Sequence, residues 1–303
     1  MKKLYILIFL LMINEIHAQH EFQFTQYNLI PSIYNPGATG ARGLSTINLN
    51  HREQWIGLEG APSQTYKGYE NYLQKSKLGI GISYTQDQVG PVSDGALNIN
   101  LAYHLDISEN YALSLGLKGT AEFWNLNLFD INTYQDDPAL YGEDNQQFFP
   151  NIGAGLWLYS ERVTAGISVP YFIRNTYNGS GEDATKQEEI HIYYNFSYIF
   201  PISDNIQLQP SMLVRQVNNA PTTADFWVNG LFYNQFKTGI MYRTSETFAI
   251  MAGIQVTKKI YLGYSYDQQT TDVNSTNTGS HEFSFRFDLS DLKTKKIKQS
   301  QFF

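Results

Sequence analysis

The stretch Leu-Asn-Ile-Asn-Leu-Ala-Tyr at residues 97–103 decides the fold class, because its apolar and polar side chains alternate one by one. A period of two residues is typical of a β-strand, whose successive side chains point to opposite faces. The apolar face ends in a tyrosine, while the other face carries asparagine and alanine instead of charged residues. The stretch therefore predicts a strand with one apolar face and one face of small, uncharged side chains.

The same alternation recurs from about residue 44 to residue 289, in stretches of about ten residues. That is the length a tilted strand needs to cross a bilayer. We expect about fourteen strands, in the ranges 44–54, 62–72, 77–86, 94–105, 109–121, 149–159, 162–171, 188–200, 205–216, 223–233, 236–243, 246–256, 259–268 and 280–289. The second and tenth ranges carry polar and aromatic residues on both faces, so their outward sides stay unassigned.

Composition supports strands and excludes several classes of function. Aromatic residues make up 15% of the chain and charged residues 16%, which favours strands over helices. The chain has no cysteine, which excludes a disulfide scaffold, a thiol nucleophile and a cysteine-ligated metal. A net charge of −7 argues against a nucleic-acid partner, because phosphate binding needs clustered lysine and arginine. The scattered histidines lack metal-site spacing, so we expect them in an aromatic girdle or in loops, and we predict no metal, no cofactor and no catalytic residue.

A soluble β-sandwich and a membrane barrel both alternate, and the chemistry of the polar face separates them. The water-facing side of a soluble sandwich should be charged, whereas here it consists of glycine, serine, threonine and asparagine. An outer-membrane barrel has aromatic residues outside and a polar lumen. If both termini lie in the periplasm, the connections after odd-numbered strands face outward and should be long. Those predicted at 122–148, 172–187 and 269–279 are long, whereas the outward connection at 243–245 is short. The sequence thus predicts an all-β fold, a transmembrane antiparallel β-barrel of outer-membrane type over residues 44–290.

Three segments lie outside the predicted barrel. Residues 1–18 are typical of a secretory signal peptide, because two lysines precede an apolar run at 4–13. Residues 19–43 are hydrophobic without strand periodicity, so we predict a periplasmic segment that plugs the periplasmic mouth. A disordered stub is the alternative. Residues 291–303 form a basic tail, which this topology places in the periplasm.

Three basic side chains fall on the predicted polar faces of strands. Arg286 lies between Phe285 and Phe287, and an arginine facing mid-bilayer lipid costs about 2–4 kcal/mol. We therefore predict that Arg286 faces the lumen and that its phenylalanine neighbours face outward. The same parity places Lys118 and Arg215 in the lumen, where we expect each charge to belong to an ion pair.

Several blocks of sequence, taken in their order along the chain, resemble one known family. The N-terminal blocks contain Phe24, Gln26, Tyr27, Asn35, Pro36, Arg52, Gln54 and Trp55. Later blocks are Gly90-Pro91-Val92-Ser93, Pro150-Asn151-Ile152-Gly153-Ala154-Gly155 and Gly166-Ile167-Ser168-Val169-Pro170. In this order they resemble the PorP/SprF outer-membrane proteins of the type IX secretion system of Bacteroidota, and the resemblance spans nearly the whole chain after the signal peptide.

The resemblance implies a non-enzymatic outer-membrane barrel that serves type IX export. Its partners would be the lipid bilayer together with periplasmic motor and ring components, or a large secreted protein such as a gliding-motility adhesin held at the surface. The eight N-terminal residues named above would then be partner-binding or plug residues. The outward loop at 126–147, with Phe129, Tyr134 and Tyr141, offers contacts of the kind that protein partners use. The alternative function is a porin or a hydrophobic-solute channel, which would lack an ordered plug and would conduct ions.

Overall fold

A computed structural model describes residues 23–127, 145–178, 185–218, 220–270, 278–289 and 299. The predicted signal peptide, residues 19–22, the loop residues Phe129, Tyr134 and Tyr141, and the basic tail other than Gln299 lie outside the described residues.

The described secondary structure is almost entirely strand. Its strands are β1 (Thr46–Glu53), β2 (Ser63–Leu73), β3 (Leu78–Val89), β4 (Val92–Asp106), β5 (Ala112–Leu126), β6 (Asn145–Tyr159), β7 (Val163–Val169), β8 (Thr176–Asn178), β9 (Thr185–Gln187), β10 (His191–Tyr198), β11 (Phe200–Ser203), β12 (Ile206–Val217), β13 (Thr223–Phe232), β14 (Phe236–Arg243), β15 (Thr247–Gln255), β16 (Ile260–Gln269) and β17 (Ser280–Asp288). Three short 3-10 helices precede them, namely η1 (Tyr27–Leu29), η2 (Pro31–Ile33) and η3 (Pro36–Ala38). Within the described ranges, no helix has the length and hydropathy needed to cross a membrane.

Fourteen of the strands close into an antiparallel barrel. β1 to β7 pair in chain order, β10 joins β7 to β12, β12 to β17 follow in order, and β17 pairs with β1. β11 follows β10 after Ile199 and pairs with β12, while β8 and β9 form a separate hairpin. Because each of these fourteen strands has a hydrogen-bonded neighbour on both sides, the barrel is closed. The predicted all-β barrel of about fourteen strands is confirmed.

The alternation in the sequence becomes the inside and the outside of this wall. In β4, Asn98 faces the lumen and is 2% exposed, whereas Ile99 faces outward and is 53% exposed. The two strands that the pattern left unassigned now have clear faces, because Tyr66 of β2 and Trp227 of β13 are buried inside. Alternation could not assign these strands because the lumen is lined there by aromatic side chains as well as polar ones.

The two ends of the barrel differ in their connections. We call the end where β1 begins and β17 ends the termini end, and the opposite end the loop end. Strands at the termini end are joined by short turns, at residues 74–77, 107–111, 160–162, 204–205, 233–235 and 256–259. The loop end carries the connections between β5 and β6 and between β7 and β10. Residues 244–246 form a tight turn there, since Arg243 pairs with Thr247.

One long connection is shorter than predicted. The hairpin of β5 and β6 continues to the pair Leu126 and Asn145, well inside the predicted loop 122–148. The rings of Phe123 and Phe148 lie 5.3 Å apart on this extension. Cross-strand aromatic pairs stabilise a hairpin, which accounts for the extra pairing.

Candidate functional site

The lumen of the barrel is occupied by the chain itself. We call residues 23–43 the lumen segment; it contains η1, η2 and η3 and is buried over most of its length. Pro31 and Pro36 stand at the first positions of η2 and η3, where the missing N–H of proline costs no hydrogen bond. The segment begins near the loop end and reaches the termini end at β1. It is therefore not confined to the mouth at the termini end, where the sequence analysis placed it.

At the loop end, the segment is held by two buried carboxylates and one arginine on the wall. The backbone N–H groups of Thr25 and Gln26 donate to the two carboxylate oxygens of Glu282, over 2.6 and 3.0 Å. The Thr25 hydroxyl donates to Asp267 over 2.5 Å, and Arg52 donates to the same hydroxyl over 2.7 Å. Arg52 also pairs with Asp267 at 2.8 Å and with Glu282 at 3.6 Å. We call Arg52, Asp267 and Glu282 the carboxylate clamp.

The carboxylate clamp contains one cation, Arg52, for two carboxylates. The lumen segment supplies the remaining hydrogen-bond donors to these carboxylates. A buried carboxylate is costly unless donors satisfy its oxygens. Here the two backbone N–H groups and the Thr25 hydroxyl supply the donors that Arg52 alone does not. The segment is therefore part of the electrostatic balance of the folded barrel.

The middle of the segment forms a small hydrophobic core with the wall. The core consists of Phe24, Tyr27, Ile30, Ile33 and Tyr34 from the segment and Tyr66, Tyr193, Leu213, Trp227, Met241, Ala249 and Met251 from the strands. The rings of Tyr34 and Tyr193 lie 5.2 Å apart. Beside this core, the side-chain amide of Asn28 donates to the Ser211 hydroxyl over 3.0 Å. An aqueous pore would not bury these aromatic groups.

At the termini end, the segment approaches the wall backbone to backbone. Pro36 and Gly37 lie so close to Gly116 that a side chain on this glycine would collide with them. Thr39 lies equally close to Gly79. The Asn35 amide donates to the carbonyls of Leu156 and Ile167 over 3.0 and 3.3 Å, and its oxygen accepts from the Gly37 N–H over 2.9 Å.

His104 belongs to this contact and not to the girdle or a loop, where the sequence analysis expected it. Its ring lies between the carbonyl of Thr39, at 3.0 Å, and the hydroxyl of Tyr159, at 2.8 Å. The polar side of β4 carries it into the lumen, which the alternation of this strand already implied.

The structure brings together six of the eight residues singled out at the N-terminus. Phe24, Gln26, Tyr27, Asn35 and Pro36 are buried in the segment, and Arg52 contacts it from β1. Gln54 and Trp55 are separate, because they follow β1 at the loop end. The Gln54 N–H donates to the Pro62 carbonyl and the Trp55 N–H donates to the Ser280 hydroxyl.

The three basic side chains assigned to the lumen are all buried. Arg215 pairs with Asp225 at 2.9 Å, and Arg286 lies 3.7 Å from Asp288. Lys118 donates to the Ile33 carbonyl of the segment over 3.4 Å and to the Tyr171 hydroxyl over 3.0 Å. Its ammonium also lies 4.2 Å from the centre of the Tyr171 ring.

Several groups that sequence reasoning did not single out also touch the segment, among them Glu70, which accepts from the Gly40 N–H over 3.2 Å, and Asp288, which pairs with Arg42 at 3.1 Å. Arg243 binds Asp225 through two nitrogens and donates to the Gln23 side chain over 3.2 Å. At the other end, the N–H of Gln299 donates to the Ala41 carbonyl, and the Trp157 indole donates to the Gln299 side chain, both over 3.1 Å. Among the described residues, no group of three or more potential ligands could hold a metal ion.

A closed barrel of outer-membrane type with an occupied lumen is the class of protein that this fold and site define. Residues 16–287 match the family described as "Type IX secretion system membrane protein PorP/SprF". The chain belongs to that family, as its sequence blocks indicated. A search of curated proteins found no match.

Solved structures with similar folds are membrane channels and transporters. The CymD monoaromatic hydrocarbon channel has a TM-score of 0.54 and 11% sequence identity, over 91% of this chain and 96% of that one. The toluene transporter TbuX of Ralstonia pickettii has a TM-score of 0.50 and 9% identity, over 85% of this chain and 93% of that one. At such identities the likeness describes the fold alone.

Proposed function

We propose that the protein is a closed, non-enzymatic component of type IX secretion in the outer membrane, which assists the export or surface anchoring of a secreted partner. The observation that carries this proposal is the lumen segment, which contacts the wall from the carboxylate clamp to Gly79 and Gly116. A barrel filled in this way suits a docking platform better than a pore. Family membership supports the link to type IX secretion.

The proposal assigns a side of the membrane to each end of the barrel. The termini end faces the periplasm, because outer-membrane barrels have short periplasmic turns and longer outer loops. Residues 1–18 act as the signal peptide that exports the chain. Apart from Gln299, which contacts the lumen segment, we place the tail at 291–303 in the periplasm, where motor and ring components of the secretion system are its candidate partners. The loop end presents Gln54, Trp55 and the loop at 126–147 to a secreted protein such as an adhesin.

We further propose that the N-terminal residues work as a plug and that Arg52 secures it. Phe24, Gln26, Tyr27, Asn35 and Pro36 then serve the closed state of the barrel and do not bind the partner directly. On this proposal, the secreted partner binds surfaces outside the lumen.

Co-purification tests the secretion role. The tagged protein is extracted from its native outer membrane in mild detergent, and mass spectrometry identifies what accompanies it. We expect a large secreted protein or type IX components. Two results together would contradict the proposal. The tagged barrel would purify alone, and in a separate strain that lacks its gene the type IX substrates would still reach the cell surface.

Conductance in planar bilayers separates the platform from the channel. We expect the full chain to pass no steady current and a variant lacking residues 23–43 to conduct, if that variant still folds as judged by its heat-modifiable migration. Steady conductance by the full chain would favour the porin or hydrophobic-solute channel.

A further inference from the structure

The described part of the outer wall carries one isolated cation, on β2. In the wall strands as described, Lys67 is the sole lysine or arginine at an outward-facing position. Its side chain is exposed and makes no hydrogen bond or ion pair with a described residue. A cation facing lipid is unfavourable unless it lies near the interface or beside an anion. Lys67 is therefore placed where an external anion would stabilise it.

The height of Lys67 on the wall matches an interface. Its neighbours across the two strand pairings are Leu49 of β1 and Tyr84 of β3. Tyr84 is exposed, and tyrosines at the surface of a barrel mark the level of lipid headgroups. Lys67 also lies four residues from Ser63, the first residue of β2 at the loop end. The ammonium is thus near the headgroups of the leaflet at the loop end.

An apolar groove of about 740 Å³ begins beside this cation. Lys67, Thr65 and His51 line one end, and the walls are formed by Leu49, Phe285, Leu262 and Ile254. Ala252 lies between larger outward side chains, so its small methyl group leaves the depression. His51 and Thr65 are 2.9 Å apart, and His51 is 3.4 Å from Glu53. Among the residues that line the groove, Lys67 is the only lysine, arginine, aspartate or glutamate.

A second groove on the wall lacks this polar end. It has a volume of about 640 Å³ and is lined by leucines and other apolar residues of β3 to β7, among them Leu101, Leu117 and Ile167, without a charged side chain. Two depressions of similar size therefore differ in whether a cation stands at the rim. That difference indicates a headgroup preference at the first groove.

We propose that the groove beside Lys67 binds a lipid with an anionic, phosphate-bearing headgroup, from the leaflet at the loop end. The phosphate pairs with the Lys67 ammonium, beside the hydrogen-bonded pair of His51 and Thr65. One acyl chain lies along Leu49, Phe285 and Leu262 towards Ile254. The proposal rests on the membrane location given under the proposed function, but not on any secretion partner.

Native mass spectrometry of the purified full chain tests the site. The barrel is incubated in mixed micelles with phosphatidylglycerol or phosphatidylcholine of equal chain length, and the retained lipid is counted. We expect phosphatidylglycerol to be retained about fivefold more, the size of effect for one lysine near an anionic surface. Lys67→Gln should bring the ratio close to one, while Lys75→Gln, in an exposed turn at the termini end, should leave it unchanged.

A second variant tests the groove apart from the charge. Ala252→Phe should reduce retention of both lipids without changing their ratio, in a barrel whose heat-modifiable migration is preserved. Equal retention of the two lipids by the unmodified chain would overturn the proposal, as would a ratio that survives Lys67→Gln. Displacement of the lipid by an acidic peptide at equal concentration would assign the groove to a protein partner instead. The lipid-binding experiment contains no type IX component. Its result therefore does not depend on the outcome of the co-purification that tests the secretion role.

Discussion

The two ends of the lumen segment are held by different kinds of contact. At the loop end, Thr25 and Gln26 complete a buried cluster of one arginine and two carboxylates. At the termini end, Pro36 and Thr39 lie directly against the backbone of Gly116 and Gly79. The first contact depends on charge balance. The second depends on close packing at glycines and is joined there by the ion pair of Arg42 with Asp288 at 3.1 Å, so a glycine substitution should act on the termini end alone.

The difference has a consequence for how the barrel could open. Charge contacts in a low-dielectric lumen are strong only while both partners and their donors are present. Close contact at a glycine depends on the absence of a side chain. It is therefore disturbed when a side chain is added, and not when a charged group is removed. Loss of a charge in the carboxylate clamp would therefore release the loop end of the segment, while the glycine contacts would still hold the termini end.

Removal of the only cation in the carboxylate clamp should give the largest effect. Arg52→Met leaves Asp267 and Glu282 buried next to each other without their arginine. Breaking a buried ion pair typically costs about 3–5 kcal/mol, and we expect a loss of that size in the free energy of unfolding. Urea unfolding in detergent micelles measures it.

The matched control for this prediction is Arg162→Met, because Arg162 lies exposed in the turn between β6 and β7. Its unfolding should follow that of the unmodified barrel. Equal stability of the Arg52 variant and this control would mean that the clamp does not hold the segment.

The shape contact can be tested with two glycines of one strand. Gly116 and Gly119 both lie in β5, but an added methyl group meets the backbone of the segment at Gly116 and nothing within 4 Å at Gly119. Gly116→Ala should destabilise the barrel by about 1–3 kcal/mol, as overpacking does, and expose residues 36–43 to protease. Gly119→Ala should do neither. Similar behaviour of the two variants would contradict the close approach.

A smaller effect is expected where the tail meets the segment. Trp157→Phe removes the indole donor to Gln299 and keeps the aromatic packing. The loss of one hydrogen bond should cost about 0.5–1.5 kcal/mol and speed proteolysis of the tail, while residues 23–35 stay protected. Unchanged cleavage of the tail would show that this bond does not retain it.

The barrel could be predicted from the sequence because its signal is local. The alternation at 97–103 gives the strand and its two faces without knowledge of any other residue. The lumen position of Arg286 follows from its phenylalanine neighbours in the same way. Strand ends were less predictable, since the pairing of Leu126 with Asn145 depends on two segments meeting.

The contacts of the lumen segment could not be predicted from the sequence. Thr25 and Glu282 are 257 residues apart in the chain, and no periodicity links them. The lumen faces of β16 and β17 do carry Asp267 and Glu282, which parity alone would have placed inside. Two acidic side chains on the lumen face predict a buried basic partner. The sequence does not identify that partner as Arg52, because Arg52 meets them only through the pairing of β1 with β17.

Hydrogen exchange on the purified, folded barrel tests the central claim most directly. The claim is that residues 23–43 cross the lumen as an ordered part of the protein. We expect slow exchange of the amides of Thr25, Gln26 and Gly37, comparable to that in β1, because each donates a hydrogen bond inside the barrel. Rapid exchange throughout residues 23–43, with the strands protected, would contradict the account.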